Sequence, residues 1–302
     1  MPIVLASPSS VPSPPLGDGT ARYMSWTGRD GVEWVLCGKN AVPAMQRGVK
    51  GLHMPRMDVF ESSTPLVPGS DLLGYSIPGR PVYWPLLFRA QSADEWRQIY
   101  SSFFRSFHPV DPGVWTVGEG DDARTLPLTG TFDGSYSFSI DPFVTGWALI
   151  GIELYAPRPL WRGKAEKQEF TADLPVDFIP AAPGNEYHPS PDASFATATI
   201  NNPGDEPAYL RWTVEGPASE LELGVDGAVI EVPFDLDEGD TLIIDTDPAG
   251  QYATLNGEDV TTELGFQIFG PVPARGTSPL TITSSGAGTV IAELTPLYWM
   301  AF

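Results

Sequence analysis

The fold is decided by the stretch Gly239-Asp-Thr-Leu-Ile-Ile-Asp-Thr246, which is followed by Asp247-Pro-Ala-Gly250, by Gln251-Tyr-Ala-Thr-Leu255 and by Asn256-Gly257. Its two apolar runs are short, and each ends at a turn sequence. Asn-Gly and Pro-x-Gly supply residues that tolerate the positive φ angles of tight turns. The stretch therefore predicts two β-strands joined by a short connection, and nothing in it is typical of a catalytic loop.

Turn residues punctuate the whole chain in the same way. The 302 residues include 31 Gly and 32 Pro, about one residue in five, against an average of about 12%. They recur between short apolar runs, which is typical of all-β proteins. Over residues 194–302 the alternation in Leu221, Leu223 and Val225 has the period of two that turns one side of a strand toward a core. We therefore expect a β-sandwich over this range.

Charge divides the chain into two parts. Residues 1–168 carry 16 acidic and 15 basic side chains, whereas residues 169–302 carry 22 acidic and only 2 basic ones, Arg211 and Arg275. A break this sharp predicts a domain boundary. An acidic surface is soluble and self-repelling, and it disfavours phosphate binding, because affinity for nucleic acid needs Lys and Arg. The functional interpretation is a conduit wall that does not bind passing DNA.

The sequence predicts four segments. Residues 1–19 are rich in Pro and Ser and should form a flexible arm. Residues 20–165 should form an N-terminal β domain with one helix. Residues 166–193 are polar and then Pro-rich, which is typical of a connector, and residues 194–302 should form the acidic sandwich. No run approaches the 18 apolar residues that a membrane helix requires, so we expect no membrane span.

The one predicted helix covers residues 94–107. Its apolar residues form a single stripe at helical spacing, from Trp96 to Phe107. Ser92 and Glu95 have the spacing of a capping box at the start, and His108-Pro109 ends the helix. We expect this aromatic stripe to pack on the sheet rather than to hold a cofactor.

Residues with catalytic or metal-binding chemistry are sparse. Cys37 is the only cysteine, so no intrachain disulfide forms, and the histidines lie far apart at His53, His108 and His188. The acidic run at 235–240 lacks the Gly and Glu that a calcium loop needs. Asp245 and Asp247 share a strand face, but such a pair at a strand end is common. We predict no catalytic residue, no metal ligand and no cofactor.

Sugar binding by the sandwich would require exposed aromatic side chains. The candidates are Tyr209, Trp212, Tyr252, Tyr298 and Trp299. The period of two places Trp212 with Leu210 and Val214 on the core face. Tyr252 is the better exposed candidate, and it is the residue that we single out as a possible sugar contact.

The order of several short motifs resembles that of siphophage distal tail proteins. The resemblance covers most of residues 20–300 and rests on Gly28-Arg-Asp-Gly31 with Glu33-Trp34, Gly51-Leu52, Pro68-Gly-Ser70, Glu95-Trp96, Arg124 with Gly130, Asp141-Pro-Phe143, and Leu236-Asp-Glu-Gly-Asp-Thr-Leu-Ile-Ile-Asp-Thr246. The order of these motifs along the chain carries the resemblance.

This resemblance implies an all-β fold with one helix, in which a β-barrel-like ring domain precedes a galectin-like β-sandwich. It also implies a structural protein of the virion tail tip, assembled in the host cytoplasm as a homohexameric ring through which DNA passes. The implied partners are the tail tube protein, the tail hub or tail-associated protein, and receptor-binding or minor tail proteins. The alternative is a carbohydrate-binding adhesin, in which the sandwich presents Tyr252 to a glycan.

Overall fold

The computed structural model describes residues 23–171 and 198–302, except positions 39, 67, 133, 135–136 and 139–140, together with the strand at 192–194. The predicted arm at 1–19 and most of the predicted connector lie outside the described residues. In chain order the elements are β1 (Met24–Thr27), β2 (Glu33–Val35), β3 (Ala44–Met45), β4 (Asp58–Ser62), β5 (Asp71–Ser76), β6 (Arg80–Arg89), α1 (Ala93–Arg105), β7 (Gly113–Val117), a 3-10 turn (Gly120–Asp122), β8 (Arg124–Gly130), α2 (Pro142–Thr145), β9 (Trp147–Ala156), β10 (Trp161–Arg162), β11 (Glu166–Thr171), β12 (Asp192–Ser194), β13 (Thr199–Asn202), β14 (Leu210–Glu215), β15 (Ser219–Val225), β16 (Ala228–Glu231), β17 (Thr241–Asp245), β18 (Tyr252–Leu255), β19 (Glu258–Asp259), β20 (Gly276–Ser285), β21 (Thr289–Leu294) and β22 (Leu297–Tyr298).

The first half of the chain forms an antiparallel sheet in the order β2-β1-β7-β8-β9-β6-β3. Its two edge strands are consecutive in the chain, and a backbone hydrogen bond of 2.7 Å from Met45 N to Leu36 O joins them. The sheet therefore curls into a barrel-like shape. Its core holds four fully buried tryptophans, at Trp26, Trp84, Trp115 and Trp161.

Helix α1 covers one side of this core, as its aromatic stripe predicts. Trp96 and Phe103 are buried, and Tyr100 and Phe104 pack against the same cluster. The Ser92 side chain accepts a hydrogen bond of 3.2 Å from Glu95 N, so the cap lies where the sequence predicts it. A second helix, the single turn α2, was not predicted. Asp141 caps its start, Pro142 occupies its first position, and Gly146 ends it with a φ of 69°.

The second half of the chain is a β-sandwich. One sheet has the order β11-β21-β14-β17-β18-β19, and the other has the order β12-β20-β15-β16, with β13 also paired to β20. A single apolar core, which includes Trp212, Leu223 and Ile282, fills the space between them. The decisive stretch forms β17 and β18, and positive φ angles of 53° at Asn256 and 85° at Gly257 make the turn that follows.

The two halves are interlocked at their ends. Strand β11, at the start of the predicted connector, pairs with β21 along all of its six residues and so lies in the sandwich. Strand β22, near the end of the chain, pairs in the opposite direction with β10 of the barrel-like sheet. Ala301 is buried in the core of the first half. The chain therefore enters the sandwich and then returns to the barrel.

Candidate assembly surfaces

The hairpin formed by β4 and β5 pairs with no other strand of the described sheets. Every side chain of β5 is exposed, including Leu72 and Leu73, which are 72% and 70% accessible. Phe60 on β4 is 55% accessible. Isolated two-stranded hairpins are marginally stable in water, and a monomer seldom exposes this many adjacent large apolar side chains. We name this hairpin, residues 58–76, the projecting hairpin.

A second apolar surface lies on the outer face of strands β6 and β9. The register places Leu87 beside Leu149, Tyr83 beside Glu153, and Pro81 beside Tyr155. Trp147 and Leu149 are 42% and 56% accessible. Most strand faces turned to water carry polar side chains, so an outward face with Trp, Leu and Tyr is typical of a contact surface. We name it the outer sheet face.

The junction between the two halves is built by the last residues of the chain. The Arg80 guanidinium is only 4% accessible, and it donates hydrogen bonds of 2.7 Å each to the carbonyl oxygens of Gly51, His53 and Trp299. Burial lowers the pKa of Arg80 to about 10. Arg124 donates to the Met300 carbonyl oxygen at 2.7 Å and lies 3.6 Å from the centre of the Tyr298 ring. These contacts hold the terminal segment against the barrel.

The terminal segment is also held by the sandwich. Asp205 accepts a hydrogen bond of 3.1 Å from Trp299 N. Glu206 Oε1 accepts bonds of 2.8 Å from Trp299 Nε1 and from the Tyr75 hydroxyl of the projecting hairpin. This bond to Glu206, with a smaller effect of burial, raises the pKa of Tyr75. One carboxylate thus links the hairpin, the chain end and the sandwich.

The possible sugar contact, Tyr252, lies on the outer face of the sandwich, next to Asp245 in the neighbouring strand. It is half-buried, whereas Trp212 is buried in the core, as its period predicts. Tyr298 and Trp299 make contacts of the junction, Tyr298 with Arg124 and Trp299 with Asp205 and Glu206. The role of Tyr252 as a sugar contact stays a prediction.

The acidic run at 235–240 forms a turn closed by its own side chains. Asp240 accepts hydrogen bonds from Asp237 N at 2.9 Å and from Asn256 Nδ2 at 2.7 Å. The bond from Asn256 is the main cause that lowers the pKa of Asp240. Among the described residues, no group of three His, Cys, Asp or Glu side chains is placed to hold a metal ion. In the same part of the chain, no helix is long and apolar enough to cross a membrane.

Neither the two apolar surfaces nor the junction was predicted from the sequence. An apolar residue in a strand ordinarily predicts burial, so exposed apolar strands are not expected from the sequence. The adjacent pair Leu72-Leu73 breaks the alternation of a half-buried strand, and this was the available signal. The junction joins residues as far apart as Arg80 and Trp299 and leaves no local pattern.

Comparison with solved structures finds the same fold in phage proteins. The Dit protein of phage SPP1, described as a paradigm of the hub adsorption apparatus in phages that infect Gram-positive bacteria, matches with a TM-score of 0.61 and 12% identity over 91% of this chain and 99% of that chain. Chains of the phage P2 baseplate in its activated conformation, one with Ca and one with Sr, match with TM-scores of 0.53 and 0.50 at 12% identity. They cover 97% and 98% of their own length and 90% and 91% of this chain.

No family model matches the sequence, and a search of curated proteins found no match. The structural likeness confirms the predicted fold class, and it confirms the resemblance to distal tail proteins at the level of the fold.

Proposed function

We propose that this protein is a structural hub of the tip of a long, flexible phage tail. In this role several copies, six by the family resemblance, form a ring that joins the tail tube to the baseplate and lets DNA pass. The observation that carries the proposal is the match to the SPP1 Dit hub protein along 91% of this chain and 99% of that one. A match over both halves, rather than over the sandwich alone, favours the hub over an unrelated protein that shares one common domain.

The two apolar surfaces support a ring of copies. The projecting hairpin and the outer sheet face are different surfaces, so a contact between them joins one copy to the next in a head-to-tail manner. Head-to-tail contacts generate closed rings when the rotation between copies closes. We propose that Leu72 and Leu73 of one copy pack on the outer sheet face of its neighbour.

The charge of the second half supports passage of DNA without binding. Residues 169–302 carry 22 acidic and 2 basic side chains. Nucleic acid binds where Lys and Arg neutralise its phosphates, so this half repels it. The proposed partners are the tail tube protein, the tail hub or tail-associated protein, and receptor-binding or minor tail proteins, and the proposed location is the virion tail tip.

The ring is tested by measuring the mass of the purified protein by light scattering and by imaging the same sample in negative stain. Wild type should form rings of six copies. The double variant Leu72→Asp with Leu73→Asp should remain monomeric, because it places two charges in the proposed contact. Val110→Asp is the matched control, since Val110 is 76% accessible and lies outside both surfaces. A wild type that forms no ring, alone or on tail tubes, would contradict the proposal.

The second candidate function is a carbohydrate-binding module of the tail. It is favoured by the row on the outer face of the sandwich in which Tyr252 pairs with Asp245 and Asp245 pairs with Arg211. The aromatic ring, the carboxylate and the guanidinium are the groups that contact sugars. In this function Tyr252→Ala should abolish glycan binding and leave the ring intact; unchanged glycan binding would count against it.

A further inference from the structure

The barrel and the sandwich enclose a cleft beside the junction. Its volume is about 480 Å³, within the range of about 300–1,000 Å³ that is typical of small-molecule sites. The segment from Pro157 to Arg162 forms one wall, and outer-face residues of the sandwich form the other. We infer that this cleft binds an acidic saccharide, with Arg162 and Arg211 holding its anionic group. This inference does not depend on the proposed ring, because the cleft lies within one chain.

The cleft brings together three arginines and three carboxylates. Residues 169–302 contain only two basic residues, Arg211 and Arg275. Arg275 forms an ion pair with Asp205. Arg211 faces the cleft, and the opposite wall adds Arg158 and Arg162. Three arginines thus converge in one place beside a strongly acidic domain.

Two of the carboxylates that line the cleft already have cationic partners. Glu293 pairs with Lys167 at 3.0 Å, and Asp247 pairs with Arg158 at 3.6 Å. Arg162 and Arg211, by contrast, make no side-chain hydrogen bond and no salt bridge with any described residue. Asp245, which lies beside Arg211 in the sheet, is the one lining carboxylate without an ion pair among the described residues. Two arginines and one carboxylate are therefore left without an ion pair, and this excess of one positive charge favours an anion.

Arg162 is the more buried of the two free guanidinium groups. Burial is the main cause that lowers its pKa, and the nearby Arg158 lowers it further, whereas Asp247 and Asp245 raise it. A half-buried cation without a hydrogen bond or a salt bridge is unfavourable, and an oxyanion placed against it removes this penalty. The planar fork of Arg matches two oxygens of a carboxylate or a phosphate.

The remaining lining groups fit a ligand that carries hydroxyl groups. The Asp245 carboxylate accepts hydrogen bonds, and the half-buried Tyr209 offers an aromatic face and a phenol hydroxyl. Large polyanions are repelled by the surrounding acidic surface. A small saccharide with one carboxylate or phosphate satisfies both the cations and the acceptors.

The test is calorimetric titration of the full chain with galacturonic acid and glucose 1-phosphate, and with galactose, glucose and inorganic phosphate as comparisons. We expect at least one acidic saccharide to bind more tightly than its neutral parent. R211Q and R162Q should each weaken this binding by about ten-fold or more, because each removes a charge-assisted contact. The matched control is R47Q, since Arg47 is exposed and lies outside the cleft.

Melting curves of each variant separate loss of binding from loss of folding, and Arg211, which is exposed, is the safer of the two substitutions. Three results would overturn the inference. They are the absence of binding by both acidic saccharides, equal binding in R211Q and wild type, and inorganic phosphate binding as tightly as glucose 1-phosphate.

Discussion

Replacing Arg80 with Met tests whether the junction holds the two halves together. The substitution keeps an unbranched apolar stem and removes the guanidinium, and with it three hydrogen bonds of 2.7 Å to Gly51, His53 and Trp299. Each hydrogen bond from a charged donor contributes about 1.5–3 kcal/mol. Burial opposes this gain, because the lowering of the Arg80 pKa to about 10 corresponds to a cost of about 3 kcal/mol for the protonated form.

The net loss of unfolding free energy should therefore be about 2–5 kcal/mol, a large part of the roughly 5–15 kcal/mol of a typical domain. Because Trp299 lies in the terminal segment, the loss should also separate the unfolding of the barrel from that of the sandwich. Urea unfolding, followed by tryptophan fluorescence, measures the loss of unfolding free energy. Scanning calorimetry shows whether the barrel and the sandwich unfold in separate transitions.

Arg89→Met is the matched control, since Arg89 is exposed at the other end of the same strand β6. It should change the free energy by less than about 0.5 kcal/mol. If Arg80→Met were as stable as Arg89→Met, the carbonyl contacts would contribute nothing net and the reasoning would be wrong.

Three further substitutions test local contacts. Ser106→Ala should cost about 1–3 kcal/mol, because it removes the acceptor of a buried bond of 2.8 Å from Trp26 Nε1; an unchanged urea midpoint would contradict this. Gln267→Ala should cost about 1 kcal/mol and promote association, because the Gln267 amide covers the backbone N and O of Glu231 on edge strand β16; light scattering would detect the association. Lys164→Gln should raise the pKa of Asp121, because the bond of 2.7 Å to Lys164 is the main cause that lowers it. The stabilising effect of that carboxylate is present above its unfolded pKa and is lost as the pH falls through its folded pKa. NMR titration measures the pKa of Asp121 in the variant and in wild type, and equal values would contradict the prediction.

The sequence predicted the elements whose side chains alternate or repeat toward a core. The apolar stripe predicted helix α1, because residues of that stripe, such as Trp96 and Phe103, are buried on one face of the helix. Strands β17 and β18 were found because Leu242, Ile244 and Ala253 all face one core. An element with one buried face repeats its apolar residues at a regular spacing, and this spacing predicts the element.

The elements that were missed leave no such period. Strand β11 has the sequence Glu-Lys-Gln-Glu-Phe-Thr and lies at the edge of its sheet, so it was assigned to the connector. The projecting hairpin has apolar residues that are not buried in this chain. The junction depends on contacts between the start and the end of the chain, which a local pattern cannot encode. The cleft was missed for the same reason, because its arginines come from both halves.

Glu206 makes the coupling between these missed parts testable. Its Oε1 atom accepts hydrogen bonds of 2.8 Å from both Tyr75 and Trp299, so the projecting hairpin and the chain end share one anchor on the sandwich. This carboxylate therefore fixes the orientation of the hairpin relative to the sandwich. Glu206→Ala should therefore speed amide hydrogen exchange in β5 while exchange in β1 stays as in wild type, because β1 is paired on both sides within the barrel. Equal exchange of β5 in the variant and the wild type would show that the hairpin takes its orientation from elsewhere.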